Sequence, residues 1–464
     1  MTRTEDQVLA SSFRDPDGVL FERGGVLYRQ VNHSGAAGYD LMMNSGLYQK
    51  LVKAGQLIPH QEVEIEPLDP VRVHKILHPE PVPFISYPYE WSFSQLKDAA
   101  LTTLSIQKKA LAAGMILKDA SAYNIQFLRG KPVLIDTLSF DPYQDGQIWD
   151  GYRQFCQHFL APLALMAHVD IRLSQLLRIH LDGIPLDLAA RLLGSKSWLK
   201  PGLFVHLSLH ARAQRAYQDP AKTQSQPRGS LRKEGLLGLV DDLRNTIKKL
   251  TWTPAGTEWG DYYNQTNYSS RAFDHKSQII SGWIEQINPQ VVWDLGANNG
   301  AFSRLASQRG CRTLAFDIDP AAVEHNYLHV RQTKEENLLP LLQDLTNPSP
   351  AVGWANQERG SLAAREPADL LFSLALIHHL ALSNNTPLER IAAWFSTLGK
   401  SLIIEFVPKS DSQVQLLLAS REDIFPDFTR EGFEAAFSPY WEIVETVQVA
   451  ESDRILYRMT AKPA

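Results

Sequence analysis

Val291-Val292-Trp293-Asp294-Leu295-Gly296-Ala297-Asn298-Asn299-Gly300-Ala301-Phe302 decides the fold of the second half of the chain, together with Ala315-Phe316-Asp317-Ile318-Asp319-Pro320, whose Asp317 follows Gly300 by seventeen residues. An apolar, β-branched run suits a buried strand, and Gly296 and Gly300 supply the backbone freedom for a sharp turn and for close approach to a ligand. A helix is expected from about Ala301, and a second apolar strand ends at Asp317. In a doubly wound sheet, ligands bind beyond the carboxyl ends of the strands, where an acid can accept hydrogen bonds from ribose hydroxyls. The stretch therefore predicts a nucleoside site.

A chain of 464 residues exceeds one ordinary core, so two domains are expected. A net charge of −5 gives no overall field for a polyanion, which disfavours extended nucleic-acid binding. Cys156 and Cys311 are the only cysteines, match no metal-ligand spacing and suit a reducing compartment. The polar Met1–Gln7 stretch lacks a secretory core, and the runs Phe159–Met166 and Leu370–Leu382 fall short of the roughly 20 residues that cross a bilayer. The expectation is a cytoplasmic protein without a membrane span.

Upstream, Val19–Glu22 and Val26–Val31 flank Gly24-Gly25 as a hairpin. Tyr39–Ala54 is expected to be a helix, Val71–Leu77 and Phe84–Tyr87 strands, and Leu96–Ala113 a helix stopping at Gly114. Next comes Leu117-Lys118-Asp119-Ala120-Ser121-Ala122-Tyr123-Asn124, then a hairpin that ends at Ile135-Asp136. An acidic loop feeding a hairpin closed by another acid resembles the catalytic segment of the protein-kinase-like fold. The resemblance implies an α+β N-terminal domain with Asp119 as base, Asn124 and Asp136 as ligands of magnesium if the site is active, and ATP as the nucleotide. Leu117 replaces the family's usual His, and no third-strand Lys is assignable.

Tyr152–Ala216 reads as a helical lobe, and the breaker-rich Tyr217–Glu234 as a linker followed by an amphipathic helix to Leu250. The aromatics Trp252, Trp259, Tyr262, Tyr263 and Tyr268 are expected to pack. The boundaries are thus 1–216 for the first domain, 217–250 for the connection and 251–464 for the second domain.

In the second domain, Ser269 or Ser270 caps a helix running to Ile287. The glycine turn, Asp317, Gln343-Asp344-Leu345 and Asp369-Leu370-Leu371-Phe372-Ser373-Leu374-Ala375-Leu376-Ile377-His378-His379-Leu380 then follow in order. This order resembles a class I S-adenosylmethionine-dependent methyltransferase, which implies a Rossmann-like doubly wound α/β sheet. The resemblance places Asp294, Gly296, Asn298 and Gly300 around the methionine part of S-adenosylmethionine, Asp317 on the ribose, and Asp344 with Leu345 at the adenine. His378 or His379 would be a general base, or would fix the loop. A nicotinamide site would need Gly-x-Gly-x-x-Gly, which Asn298 and Asn299 interrupt. No Asn- or Asp-Pro-Pro-Tyr run follows the fourth strand, which disfavours an exocyclic amine as acceptor.

The expected activity is methyl transfer to an acceptor that is a small molecule or a glycan or lipid head group, ahead of a protein. A bifunctional kinase-methyltransferase and a non-enzymatic scaffold are the alternatives.

Overall fold

The computed structural model describes residues 6–194, 200–209, 232–254, 269–419 and 422–463. The chain folds as two compact units: Met1–Thr253 with Val352–Arg359, and Pro254–Ala351 with Gly360–Ala464. The expected linker Tyr217–Glu234 lies largely outside the described residues, as do Trp259, Tyr262, Tyr263 and Tyr268. Among the described residues, no helix is long and apolar enough to cross a membrane.

The first unit opens with a five-stranded antiparallel sheet. Its strands are β1 (Gln7–Val8), β2 (Gly18–Arg23), β3 (Val26–Asn32), β4 (His60–Glu62) and β5 (Val73–Pro79), in the order β1-β2-β3-β5-β4. Gly24 and Gly25, both at positive φ, close the expected β2–β3 hairpin. The region expected as one helix forms two, Ala36–Asn44 and Leu47–Lys53, because Gly46 at φ 75° interrupts it. Phe84–Tyr87 is not a strand. Pro81, Pro83 and Pro88 surround it, and each proline removes a ladder donor.

Ser92 caps the helix Phe93–Ala112 with a reciprocal capping box to Gln95. Two small ribbons follow, β6 (Met115–Leu117) with β9 (Phe140–Pro142), and β7 (Ile125–Leu128) with β8 (Lys131–Leu134). Short helices between Gly151 and Leu209 make up a mostly apolar lobe. The helix Lys233–Lys249 belongs to this unit and lies on Phe93–Ala112. Lys97 Nζ donates to the carbonyls of Lys248 and Leu250 at 3.0 and 2.7 Å, and Lys108 pairs with Asp241 at 2.8 Å.

The second unit holds a seven-stranded sheet. The strands are β10 (Val291–Leu295), β11 (Arg312–Asp317), β12 (Leu338–Leu342), β13 (Ala368–Ser373), β14 (Gly399–Phe406), β15 (Trp441–Gln448) and β16 (Ile455–Ala461), in the order β12-β11-β10-β13-β14-β16-β15. The first five are parallel and β16 runs antiparallel to β14, so this is a Rossmann-like mixed sheet whose order reverses at β10. Parallel strands covered on both faces read as apolar runs, and Val291–Trp293 of β10 and Leu370–Phe372 of β13 do so.

One face is covered by the helix Ser270–Ile287, capped by Ser269 as expected, whose Ile280, Trp283 and Ile284 join Val292, Leu370 and Phe372 in the core. The helix after the glycine turn is short and begins at Ser303, two residues later than expected. Phe428, Phe433 and Phe437 are buried, with Phe433 against Phe406 and Tyr457, so this aromatic run is core.

Close helix–strand approach in the first unit depends on Gly38, where an added Cβ would lie 2.5 Å from the Phe140 carbonyl oxygen. Gly38→Ala is expected to cost about 1–3 kcal/mol through overpacking, read as a lower Tm of the purified protein.

Candidate functional site

The parallel register pairs Asp294 with Ala315 and Leu295 with Phe316, so β10 and β11 end side by side. Gly296 then turns at φ 82°, and the N–H groups of Gly296 and Ala297 both donate to the Phe316 carbonyl. Asn298 adopts φ 49°, a left-handed conformation tolerated by Asn, and its N–H donates to Asp317 Oδ2 at 2.7 Å. The second oxygen of Asp317 accepts from Asp319 N at 2.8 Å. Asp319 in turn caps the helix Pro320–Thr333. Gly300, at φ 79°, packs where a Cβ would strike the Asn326 side chain at 2.6 Å.

A cavity of about 290 Å³ opens at these strand ends. Of the residues singled out from the sequence, Asp294, Gly296, Asn298, Asp317, Asp344, Leu345 and His379 line it together. Gly300 supports the loop from behind. His378 is buried in the interior, its ring centroid 4.1 Å from that of His379, and does not line the cavity. The His pair lies in a π-helical turn around His379–Ser383, beyond the end of β13 at Ser373.

Sequence reasoning missed Phe273, Lys276, Phe302, Gln343, Thr346, Leu376, Ser383, Asn384 and Leu417, which also line the cavity. Lys276 carried one signal, a lone lysine on the otherwise buried stripe of its helix. Gly296 forms a cradle, since a Cβ there would reach 3.1 Å from Leu376.

The electrostatics follow from burial. Asp294 is raised to about 7, chiefly because its carboxylate is desolvated, although Ser303 Oγ donates to it at 2.6 Å. Asp317 is raised to about 6 for the same reason, against the backbone N–H groups of Asp319, Asn298 and Ile318 that favour its charge. Burial lowers His379 to about 4, so its imidazole is neutral at pH 7. Asp344 accepts from the N–H and hydroxyl of Thr346 at 2.8 and 2.7 Å.

In the first unit, Asp119, Asn124 and Asp136 also come together. Asp119 accepts from Ser121 N at 2.9 Å and hydrogen-bonds to Asn124 and Gln154. Its carboxyl is raised, first by burial and also by the charge of Asp136. Asn124 Nδ2 donates to Ser139 Oγ at 3.4 Å, and Ser139 Oγ to Asp136 Oδ2 at 2.5 Å.

Where no third-strand lysine was assignable, Arg29 of β3 pairs with Asp136 at 2.6 Å and with Asp15 at 2.5 Å. Lys118 bridges Asp17 and Asp141 at 2.6 and 3.0 Å. Asp136 therefore spends both oxygens on protein donors, one of them a cation. Arg29, Leu138 N and Ser139 thus share the two oxygens of Asp136. Among the described residues, no group of three or more His, Cys, Asp or Glu could hold a metal ion.

The two architectures define a Rossmann-like α/β unit with a strand-end cavity and an α+β unit with an acidic loop. No protein-family profile matches the chain. It is 36% identical over 457 residues to nodulation protein NoeA of Rhizobium meliloti (strain 1021), covering 97% of this chain and 95% of that protein. The chain belongs to the NoeA family.

Solved structures with some likeness include magnesium protoporphyrin IX methyltransferase (ChlM) from Synechocystis PCC 6803 with bound SAH, at 16% identity, 44% of this chain, 93% of that chain and a TM-score of 0.31. The N-methyltransferase NodS from Bradyrhizobium japonicum WM9 gives 12%, 42%, 99% and 0.30. Monomeric WbdD gives 15%, 45%, 45% and 0.30. At such identities and scores these likenesses assign no activity.

Because the folded pKa values of Asp294 and Asp317 lie above the unfolded ones, the native state holds more protons between about pH 4 and 7. These groups therefore subtract stability as pH rises through that window. Asp294→Asn keeps an acceptor for Ser303 and removes the buried charge, so its Tm gain over the parent is expected to be larger at pH 8 than at pH 5. Equal differences at both pH values would contradict the assignment.

Proposed function

We propose that the second unit transfers a methyl group from S-adenosylmethionine to a small-molecule, glycan or lipid-head-group acceptor. The reading rests on one observation: the Gly296 cradle and the Asp317 carboxylate face one cavity from adjacent strand ends. An acid fixed by two backbone N–H groups is preorganised to accept from a ribose diol, and the glycine leaves room for the cofactor beside Leu376. Asp344 and Leu345 would border the adenine.

S-adenosylmethionine supplies an activated sulfonium methyl. The protein's part is to align the acceptor and exclude water, which the apolar side chains of Phe273, Phe302, Leu374, Leu376, Leu380 and Leu417 favour. His379 is neutral at physiological pH, so it can accept an acceptor proton if one must leave. His378, buried beside it, would hold its ring in place. Membership of the NoeA family is compatible with a diffusible or glycan acceptor and does not choose among them.

For the first unit we propose a kinase-like scaffold kept for binding or support, a reading supported by the pairing of Asp136 with Arg29. The linked Asp119, Asn124 and Asp136 favour the bifunctional alternative enough to test it. Titration of the parent with magnesium-ATP is expected to show no magnesium-dependent binding. Such binding, abolished by Asp136→Ala, would instead overturn the purely supporting role and favour the bifunctional reading.

Calorimetric titration should show S-adenosylmethionine bound by the parent and weakened by about 1.5–3 kcal/mol in Asp317→Ala, the scale of a lost hydrogen bond to a charged group. Affinity should fall from pH 8 to pH 5, as Asp294 and Asp317 take up protons through about 7 and about 6 and lose the charge that receives the ligand. No binding by the parent sinks the proposal.

A further inference from the structure

The glycine turn is gripped from outside the cavity as well as from within it. Arg304, in the short helix Ser303–Ser307, donates from Nη1 to the Asn299 carbonyl at 2.7 Å, from Nη2 to Asn326 Oδ1 at 2.9 Å and from Nε to Glu335 Oε1 at 3.0 Å. One guanidinium thus joins three segments: the turn after β10, the helix Pro320–Thr333 after β11, and Glu335 just ahead of β12. A rigid planar fork can serve three acceptors in fixed directions, which the single ammonium of a lysine does less well. Side-chain exposures are 13% for Arg304 and 17% for Glu335, and Asn326 is fully buried. Arg304, Asn299, Asn326 and Glu335 are all absent from the cavity lining.

Gly300 makes room for this arrangement. A Cβ there would lie 2.6 Å from Asn326 Nδ2 and 2.7 Å from Arg304 Nη1, so the close approach that the glycine permits is to these two side chains. Asn299 Oδ1, Asn326 Nδ2 and Glu335 Oε2 are buried and find no hydrogen-bond partner among the described residues. Unsatisfied buried polar atoms are costly, so stability alone gives little reason to keep a polar cluster here in place of apolar packing.

The turn is held by opposed bonds on successive residues. The Asn298 N–H goes to Asp317, which lines the cavity, the Asn299 N–H to Asn298 Oδ1 at 2.8 Å, and the Asn299 carbonyl to Arg304. Asn298, at φ 49°, lines the cavity in a conformation that persists only where its surroundings fix it. Removing the Arg304 fork would free the Asn299 carbonyl without altering any side chain that lines the cavity.

We propose that Arg304 is a positioning residue for an S-adenosyl ligand: through the Asn299 carbonyl it holds the turn at Asn298 in its binding shape, and through Asn326 and Glu335 it ties that shape to the segments after β11 and before β12. The inference rests on the S-adenosylmethionine reading and adds a residue that touches no ligand.

The test titrates S-adenosylhomocysteine into the parent, Arg304→Met and Arg304→Lys, each below its measured Tm. Arg304→Met is expected to bind at least about fivefold more weakly, within the scale of one hydrogen bond from a charged donor. Arg304→Lys, which keeps one donor for the Asn299 carbonyl, should bind more tightly than Arg304→Met. A merely structural tie would lower the Tm of both variants and leave their affinities alike. A smaller loss in Arg304→Met, or no recovery in Arg304→Lys, overturns the proposal and leaves the nucleoside site standing. Failure of the parent to bind removes both readings.

A measurement on the folded parent guards against misfolded variants. In protein labelled with ¹⁵N-arginine, the Arg304 Nε–H resonance should move when S-adenosylhomocysteine saturates the site, although Arg304 does not line the cavity. A resonance that stays in place while the ligand binds overturns the proposal.

Discussion

Asp317 holds the candidate site together. Its two carboxylate oxygens take the N–H groups of Asn298 and Asp319, one from the turn after β10 and one from the cap of the helix after β11. The left-handed Asn298, the Gly296 turn and the start of the next helix are therefore positioned by one buried charge. That same carboxylate is raised toward neutrality because it is buried among protein atoms. A buried acid that is already hydrogen-bonded and still faces a cavity is poised to gain from a ligand that offers hydroxyl groups.

The charges around the cavity divide into two kinds. Asp294 and Asp317 are disfavoured as anions by desolvation, and a cationic or hydroxyl-bearing ligand would relieve that cost. Lys276, which lines the cavity, and the buried Glu405, Arg454 and Asp411 compensate one another. The first set takes up protons as pH falls through about 7 and about 6, whereas the second is a set of mutually paired ions.

The first unit holds a linked set of acidic residues whose charges are met within the protein. Asp119, Asn124 and Asp136 remain linked through Ser139, yet Arg29 from β3 neutralises Asp136, and Lys118 ties Asp17 to Asp141. The carboxylates of this loop are therefore matched by protein donors and cations within the unit.

The order of strands and helices in the second unit was legible from local pattern, because buried parallel strands are continuous apolar runs and turns at positive φ select Gly and Asn. Asp317 was legible as the acid ending a strand, whereas Asp294 and Asp344 were placed by the family resemblance. The break at Gly46 and the irregular path of Phe84–Tyr87 were harder to see, since apolar content alone does not separate a strand from a proline-braced extended segment. Only the tertiary structure could bring Lys276 to Glu405 across 129 residues, or Arg29 to Asp136, or separate lining His379 from buried His378. Periodicity reports which face of an element is buried. Which charge meets which inside the core depends on strand order, and strand order is set by packing between elements far apart in the chain.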